Sequence, residues 1–105
     1  MTDSDRRVLE AFAVQVRALF PQARIWAFGS RARGDAAPDS DLDVCVVVEG
    51  LDEDADRSIL AVAWEVGFAN DVIISTLTFS LEEFTTGPLT RSPIVQEIRR
   101  NGVAA

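Results

Sequence analysis

Four residues carry the chemistry that this sequence can be read for. Gly29-Ser30 stands at the end of a short apolar run, and after ten intervening residues comes Asp41-Leu42-Asp43, at the start of another. A glycine that ends a strand lets another backbone or a phosphate approach closely, because it has no side chain. Ser30 stands where a helix would begin, and a hydroxyl beside free backbone N–H groups suits a phosphate. Asp41 and Asp43 have the i, i+2 relation of residues on one face of a strand, with Cα atoms about 6.5 Å apart. Two carboxylates that close repel each other unless a cation neutralises them, and Mg²⁺ favours carboxylates together with substrate phosphate oxygens. Phosphate cradle and metal ligands in one pocket are the equipment of phosphoryl or nucleotidyl transfer. In a chain of this composition the spacing arises by chance with an expectation of roughly 0.003.

The residues that are missing narrow the chemistry further. The 105 residues include no histidine, no tyrosine and no lysine; all ten basic residues are arginine. That excludes a Ser-His-Asp triad, a Cys-His dyad and imidazole metal sites, and it excludes a Walker lysine or a Schiff base. A single cysteine, Cys45, allows no internal disulfide. Catalysis by this chain must use carboxylates, hydroxyls, arginines and a metal held by oxygen.

The net charge of −7 is uneven: residues 1–28 carry +1, 29–43 carry −2, 44–87 carry −8 and 88–105 carry +2. No basic stripe exists, so general nucleic-acid binding is not expected, and the acidic middle reads as a solvated face. There is neither a membrane-length apolar run nor a signal-peptide pattern, which points to a cytoplasmic location without membrane attachment.

The elements that must position these residues follow from periodicity. Asp3 or Ser4 caps a first helix with Leu9, Phe12, Val16, Leu19 and Phe20 on one stripe, ended by Pro21. Arg24–Phe28 reads as a strand. Gly29–Ser40 reads as a loop with room for one helical turn begun by Ser30. Asp41–Val48 is the clearest strand, apolar on both faces in its second half and so central in a covered sheet. Asp52 or Asp54 caps a helix to about Ala69, with Ile59, Ala63 and Val66 inward. Asp71–Leu77 reads as a third strand. Ser80-Leu81-Glu82-Glu83 has capping-box spacing, and Ser92-Pro93 opens a last helix that ends at Gly102. The order α-β-β-α-β-α-α, with no linker, predicts one domain over 1–105 of the α/β (α+β) class: a small mixed sheet with helices packed on it. Trp26, Phe28 and Trp64 are expected in the core, Cys45 as a buried apolar residue, and Phe79, Phe84, Leu89 and Ile94 as residues that leave apolar surface.

The run Gly29-Ser30-Arg31-Ala32-Arg33-Gly34-Asp35 followed by Ser40-Asp41-Leu42-Asp43-Val44 resembles the signature of minimal nucleotidyltransferases, in the DNA polymerase β-type nucleotidyltransferase superfamily. The similarity extends over nearly the whole chain. It implies a polymerase β-like fold and transfer of an NMP, AMP from ATP being expected, to an acceptor hydroxyl with release of pyrophosphate. By this resemblance Gly29 and Ser30 hold the β/γ-phosphates, while Asp41 and Asp43 hold Mg²⁺, with two ions expected. The family's third carboxylate lies on the neighbouring strand, and Asp71 is the candidate, as metal ligand or general base; the alternative is a turn aspartate that ends the second helix. Arg31 and Arg33 either touch the triphosphate or fix the loop, Arg33 through Asp35 or Asp39.

Minimal nucleotidyltransferases often act as antitoxins beside a HEPN-type toxin, so the resemblance implies a protein partner of that kind; a homodimer is the other possibility. A catalytically silent nucleotide- or partner-binding module of the same fold is the competing reading. An aminoglycoside-type enzyme fits less well, because such enzymes carry an additional helical domain.

Overall fold

The computed structural model describes residues 1–105 as a four-stranded mixed sheet between two layers of helices. Helix α1 (Asp3–Leu19) begins at Thr2, whose hydroxyl accepts from the Asp5 N–H. The cap therefore falls one residue before the expected Asp3 or Ser4. Leu9, Phe12 and Val16 are buried as the spacing requires, but Leu19 is exposed. Strand β1 (Arg24–Phe28) leads into a short helix α2 (Gly29–Arg33), the helical turn for which the Gly29–Ser40 segment had room, begun one residue before Ser30. Gly34, left-handed at φ 85°, ends it.

Strand β2 (Leu42–Val48) is central: it pairs antiparallel with β1 and parallel with β3 (Ile74–Ser80), in the order β3-β2-β1-β4, where β4 is Val103–Ala104. Its even-numbered residues Leu42, Val44, Val46 and Val48 join the larger core, against α1 and α3. Its odd-numbered residues Cys45 and Val47 face the smaller core of Phe79, Phe84, Val95 and Ile98. This two-sided burial explains the unbroken apolar run. Burial also pushes the Cys45 thiol up to about 12, so it stays protonated at neutral pH.

Helix α3 (Glu53–Asn70) is capped by Asp52, whose carboxylate accepts from the Ala55 N–H. Strand β3 runs from Ile74 to Ser80 and not from Asp71 to Leu77. The cause is local: Asp71 adopts the left-handed conformation at the helix C-terminus, φ 56°, and Val72 N–H returns to the Gly67 carbonyl. The expected strand thus begins three residues late. Ser80 and Glu83 form the expected capping box at α4 (Leu81–Thr85), a 3₁₀ turn follows over Pro88–Arg91, and Ser92 caps α5 (Pro93–Asn101). Strand β4 (Val103–Ala104), two residues long, had no periodic signal; it pairs with β1 through Trp26 and Ala27.

Trp26 stacks on Phe84 at 5.2 Å between ring centroids, and Arg99 lies over the same Phe84 ring, 4.5 Å from its centroid. Phe79 and Phe84 are buried, against the expectation that they leave apolar surface, whereas Leu89 and Ile94 are exposed as expected. Trp64 reverses the expectation in the other direction: it is 72% exposed. No helix is long and apolar enough to cross a membrane.

The return of the chain from α3 to β3 depends on Gly67. A Cβ there would lie 2.5 Å from the Val72 carbonyl oxygen, a backbone atom that cannot step aside. Gly67→Ala should therefore lower stability by about 1–3 kcal/mol, read as a lower midpoint in thermal or urea unfolding; an unchanged midpoint would mean that the turn is loosely packed.

Candidate nucleotide and metal site

The β1–β2 hairpin builds the site. Its antiparallel register sets Phe28 opposite Asp43, so Gly29, the next residue, lies beside the Asp43 carboxylate. Gly29 has φ 73°, and a Cβ on it would meet Asp43 Oδ2 at 2.6 Å. The left-handed backbone calls for glycine here, because it disfavours any L side chain, and a Cβ would also push the tip of the Asp43 carboxylate out of its place. Ser30 follows in the first turn of α2 and is half-buried.

Asp43 is half-buried and Asp41 is exposed, one residue before β2 begins. Desolvation raises the Asp43 pKa above 3.8, and the neighbouring Asp41 charge raises it further. A cation placed against both carboxylates would relieve both effects. The donor set therefore fits one divalent ion held by Asp41 and Asp43, with the remaining ligands from a nucleotide and water. No three acidic, histidine or cysteine side chains come close enough to share an ion. The chain thus offers a carboxylate pair where two ions would call for a third acid.

Asp71 does not supply it. It caps α3 in the left-handed conformation, three residues before β3, and takes the turn role that was its alternative. The parallel register instead sets Ser75 opposite Asp43. Paired residues of adjacent strands project to the same side, so Ser75 occupies the position on the neighbouring strand where a third carboxylate would stand. Nothing in the linear sequence marks Ser75, because the start of β3 decides which residue faces Asp43.

Arg31 is turned inward and committed to the loop. Its Nη1 donates to Asp5 Oδ1 at 2.8 Å, its Nε to the Ser40 carbonyl at 2.7 Å and its Nη2 to the Pro38 carbonyl at 3.1 Å. The ion pair with Asp5 is largely buried, with side-chain exposures of 14% and 12%. Removing one partner of such a pair costs about 3–5 kcal/mol, because the other charge is left uncompensated. Arg33 pairs with Asp35 at 3.2 Å on the surface, as its structural alternative required. Gly29, Ser30, Asp41 and Asp43 are brought together; Asp71, Arg31 and Arg33 serve the scaffold around them.

The geometry sets two expectations. Ser75→Asp should complete a three-carboxylate site and tighten Mn²⁺ or Mg²⁺ binding by about tenfold, measured by titration calorimetry; unchanged affinity would place Ser75 outside the site. Asp43→Asn removes a carboxylate whose folded pKa is raised. In the metal-free native protein that group costs stability once it ionises, so stability falls as pH rises from 3.8 through the folded value. The variant should melt higher than the native chain at neutral pH in EDTA, with the difference vanishing below pH 3.8, and should lose metal binding.

Known proteins resemble this chain in family and in fold. The family model of the nucleotidyltransferase domain matches residues 9–101. A chain from a crystal structure described as a toxin-antitoxin with AMP-PNP superposes with a TM-score of 0.62 at 19% identity, covering 90% of this chain and 70% of that one. A chain of the toxin-antitoxin MntA-HpeT, in mutant form, gives 0.58 at 17% identity, with coverage of 95% and 70%. A protein of Sulfolobus solfataricus assigned as a nucleotidyltransferase gives 0.54 at 20% identity, with coverage of 97% and 82%. No curated protein matches the sequence. With a glycine-lined carboxylate pair at the head of a polymerase β-like sheet, and a family match across most of its length, the chain belongs to the nucleotidyltransferase domain family.

Proposed function

We propose that the chain transfers AMP from ATP to a hydroxyl of a partner protein, with Mg²⁺ at Asp41 and Asp43, as the antitoxin of a HEPN-type toxin pair. The observation that carries the reading is the contact between Gly29 and the Asp43 carboxylate, which joins the phosphate turn to the metal carboxylates in one place. In this reading Gly29 lets the Asp43 carboxylate come up against the turn, and the backbone of Gly29 and Ser30 with the Ser30 hydroxyl receives the β/γ-phosphates. Asp41 and Asp43 hold the cation and orient the triphosphate. Bound Mg²⁺ supplies charge stabilisation at the α-phosphoryl group. The acceptor oxygen forms the new bond to the α-phosphorus, pyrophosphate leaves, and the acceptor proton passes to water, because no acid on β3 stands ready to take it. The crystallisation of a similar chain with AMP-PNP, in a toxin-antitoxin, supports both the nucleotide and the protein partner.

The second reading, a nucleotide- or partner-binding module without catalysis, is favoured by Ser75 in the third-carboxylate position and by the helix-capping role of Asp71. Incubation with Mg²⁺, α-labelled ATP and the product of the neighbouring gene separates the two. Transfer of label to protein, reduced roughly 100-fold or more in Asp41→Ala and Asp43→Ala, supports the transferase. Nucleotide binding without transfer from any NTP supports the silent module.

A further inference from the structure

An unpartnered apolar face lies beside the site, and its rim is acidic. Leu60, Trp64 and Phe68 recur at i, i+4 and i+8 on α3, so they stack along one side of the helix. They are 47%, 72% and 90% exposed, and Ile73, which enters β3, is 68% exposed. Together they wall an open groove of about 760 Å³ between α3 and the loop that leads into β2. A cleft of this volume is within the range of binding sites, and contiguous exposed apolar side chains mark a surface for interaction. Asp39, Asp41 and Asp71 line the same groove, and none of them belongs to any of the four ion pairs of the chain. The one cation that lines it, Arg31, is spent on Asp5 and two carbonyls. The groove therefore offers grease on its walls and uncompensated negative charge at its edge.

We propose that this groove docks an amphipathic helix of a partner protein, with an apolar stripe against Leu60, Trp64, Phe68 and Ile73 and lysine or arginine side chains reaching Asp39 and Asp71. In helix-in-groove recognition an amphipathic helix lays its apolar face, with anchors at i, i+3, i+4 and i+7, into a hydrophobic groove, and basic residues on the partner complement the rim. A second copy of this chain fits poorly. A two-fold contact would bring each acidic rim near its own image, in a chain of net charge −7. Asp41 lies at the edge of the groove, so a docked helix would run past the carboxylate pair; delivery of an acceptor hydroxyl by that helix rests on the transferase reading, whereas the docking does not.

The test uses the intact chain and a synthetic leucine–lysine amphipathic helix, with its leucine–glutamate counterpart as control. Trp64 is the exposed tryptophan, while Trp26 is stacked on Phe84, so docking should shift the emission to the blue and saturate with the lysine peptide only. Phe68→Ser, a change at an exposed position outside the nucleotide site, should weaken binding roughly tenfold or more with an unchanged circular dichroism spectrum and unchanged Mg²⁺–ATP binding. Asp71→Asn should lessen the dependence on salt. No saturable binding, equal binding of both peptides, or binding that survives Phe68→Ser would overturn the proposal. So would a dimer dissolved by Phe68→Ser, which would make the face a self-interface, or displacement of the peptide by ATP, which would make it a base pocket. Peptide binding by a chain that transfers no nucleotide would support the docking surface and count against the transferase reading alone.

Discussion

The pairing of Phe28 with Asp43 across the β1–β2 hairpin is the constraint on which the site depends. Gly29 must follow immediately, because it turns the chain at φ 73° against a carboxylate where a Cβ has no room. A slip of one residue would move Asp43 to the face that holds Leu42 and Val44, where a carboxylate would be buried without a partner. The run Val44–Val48 alone would allow that slip, since both its faces are apolar and buried, so it is the cost of burying Asp43 that holds the register. Hydrophobic burial on both faces makes this strand central, and the charged residues at its head decide its register.

The second support is Arg31. Three hydrogen bonds from one guanidinium tie α1, through Asp5, to the carbonyls of Pro38 and Ser40 just before Asp41. A planar fork with several donors suits this geometry, and lysine would not reproduce it. The arginine that invites a phosphate-binding reading in the sequence instead holds the segment before Asp41 in place, and acts on the site through that segment. The raised pKa of Asp43 is the price of the arrangement in the metal-free chain: desolvation and the Asp41 charge both oppose ionisation, as functional sites commonly tolerate.

The same fold that assembles the carboxylate pair leaves α3 with two different faces. Ile59, Val62, Ala63 and Val66 turn toward the sheet, while Leu60, Trp64 and Phe68 turn outward. Nearly every third or fourth residue of this helix is apolar around most of its circumference, so periodicity could not tell which apolar residues the sheet would cover. Trp64 was expected in the core on residue type alone. Its exposure becomes visible only once β3 is seen to be an edge strand, with nothing packed beyond it.

Residue identity and spacing alone determined the fold class, the order of the main helices and strands, the central place of β2, and the quartet Gly29, Ser30, Asp41 and Asp43. These rest on local rules: caps, periodicity, and the i, i+2 geometry of a strand. The sequence also excluded histidine and lysine chemistry and an internal disulfide. Tertiary structure decided the rest. Asp71 became a helix cap because α3 runs one residue beyond its expected end, to Asn70, and its closing turn takes up Asp71 and Val72. Ser75 came to face Asp43 through a parallel pairing between residues 32 apart, a relation that no local pattern encodes. Arg31 found Asp5, 26 residues earlier, across a helix boundary. For Asp71 tertiary structure adds only where β3 begins, since the cap itself closes locally on Gly67; for Ser75 and Arg31 the physical reason is register or packing between distant segments, which no local rule reaches.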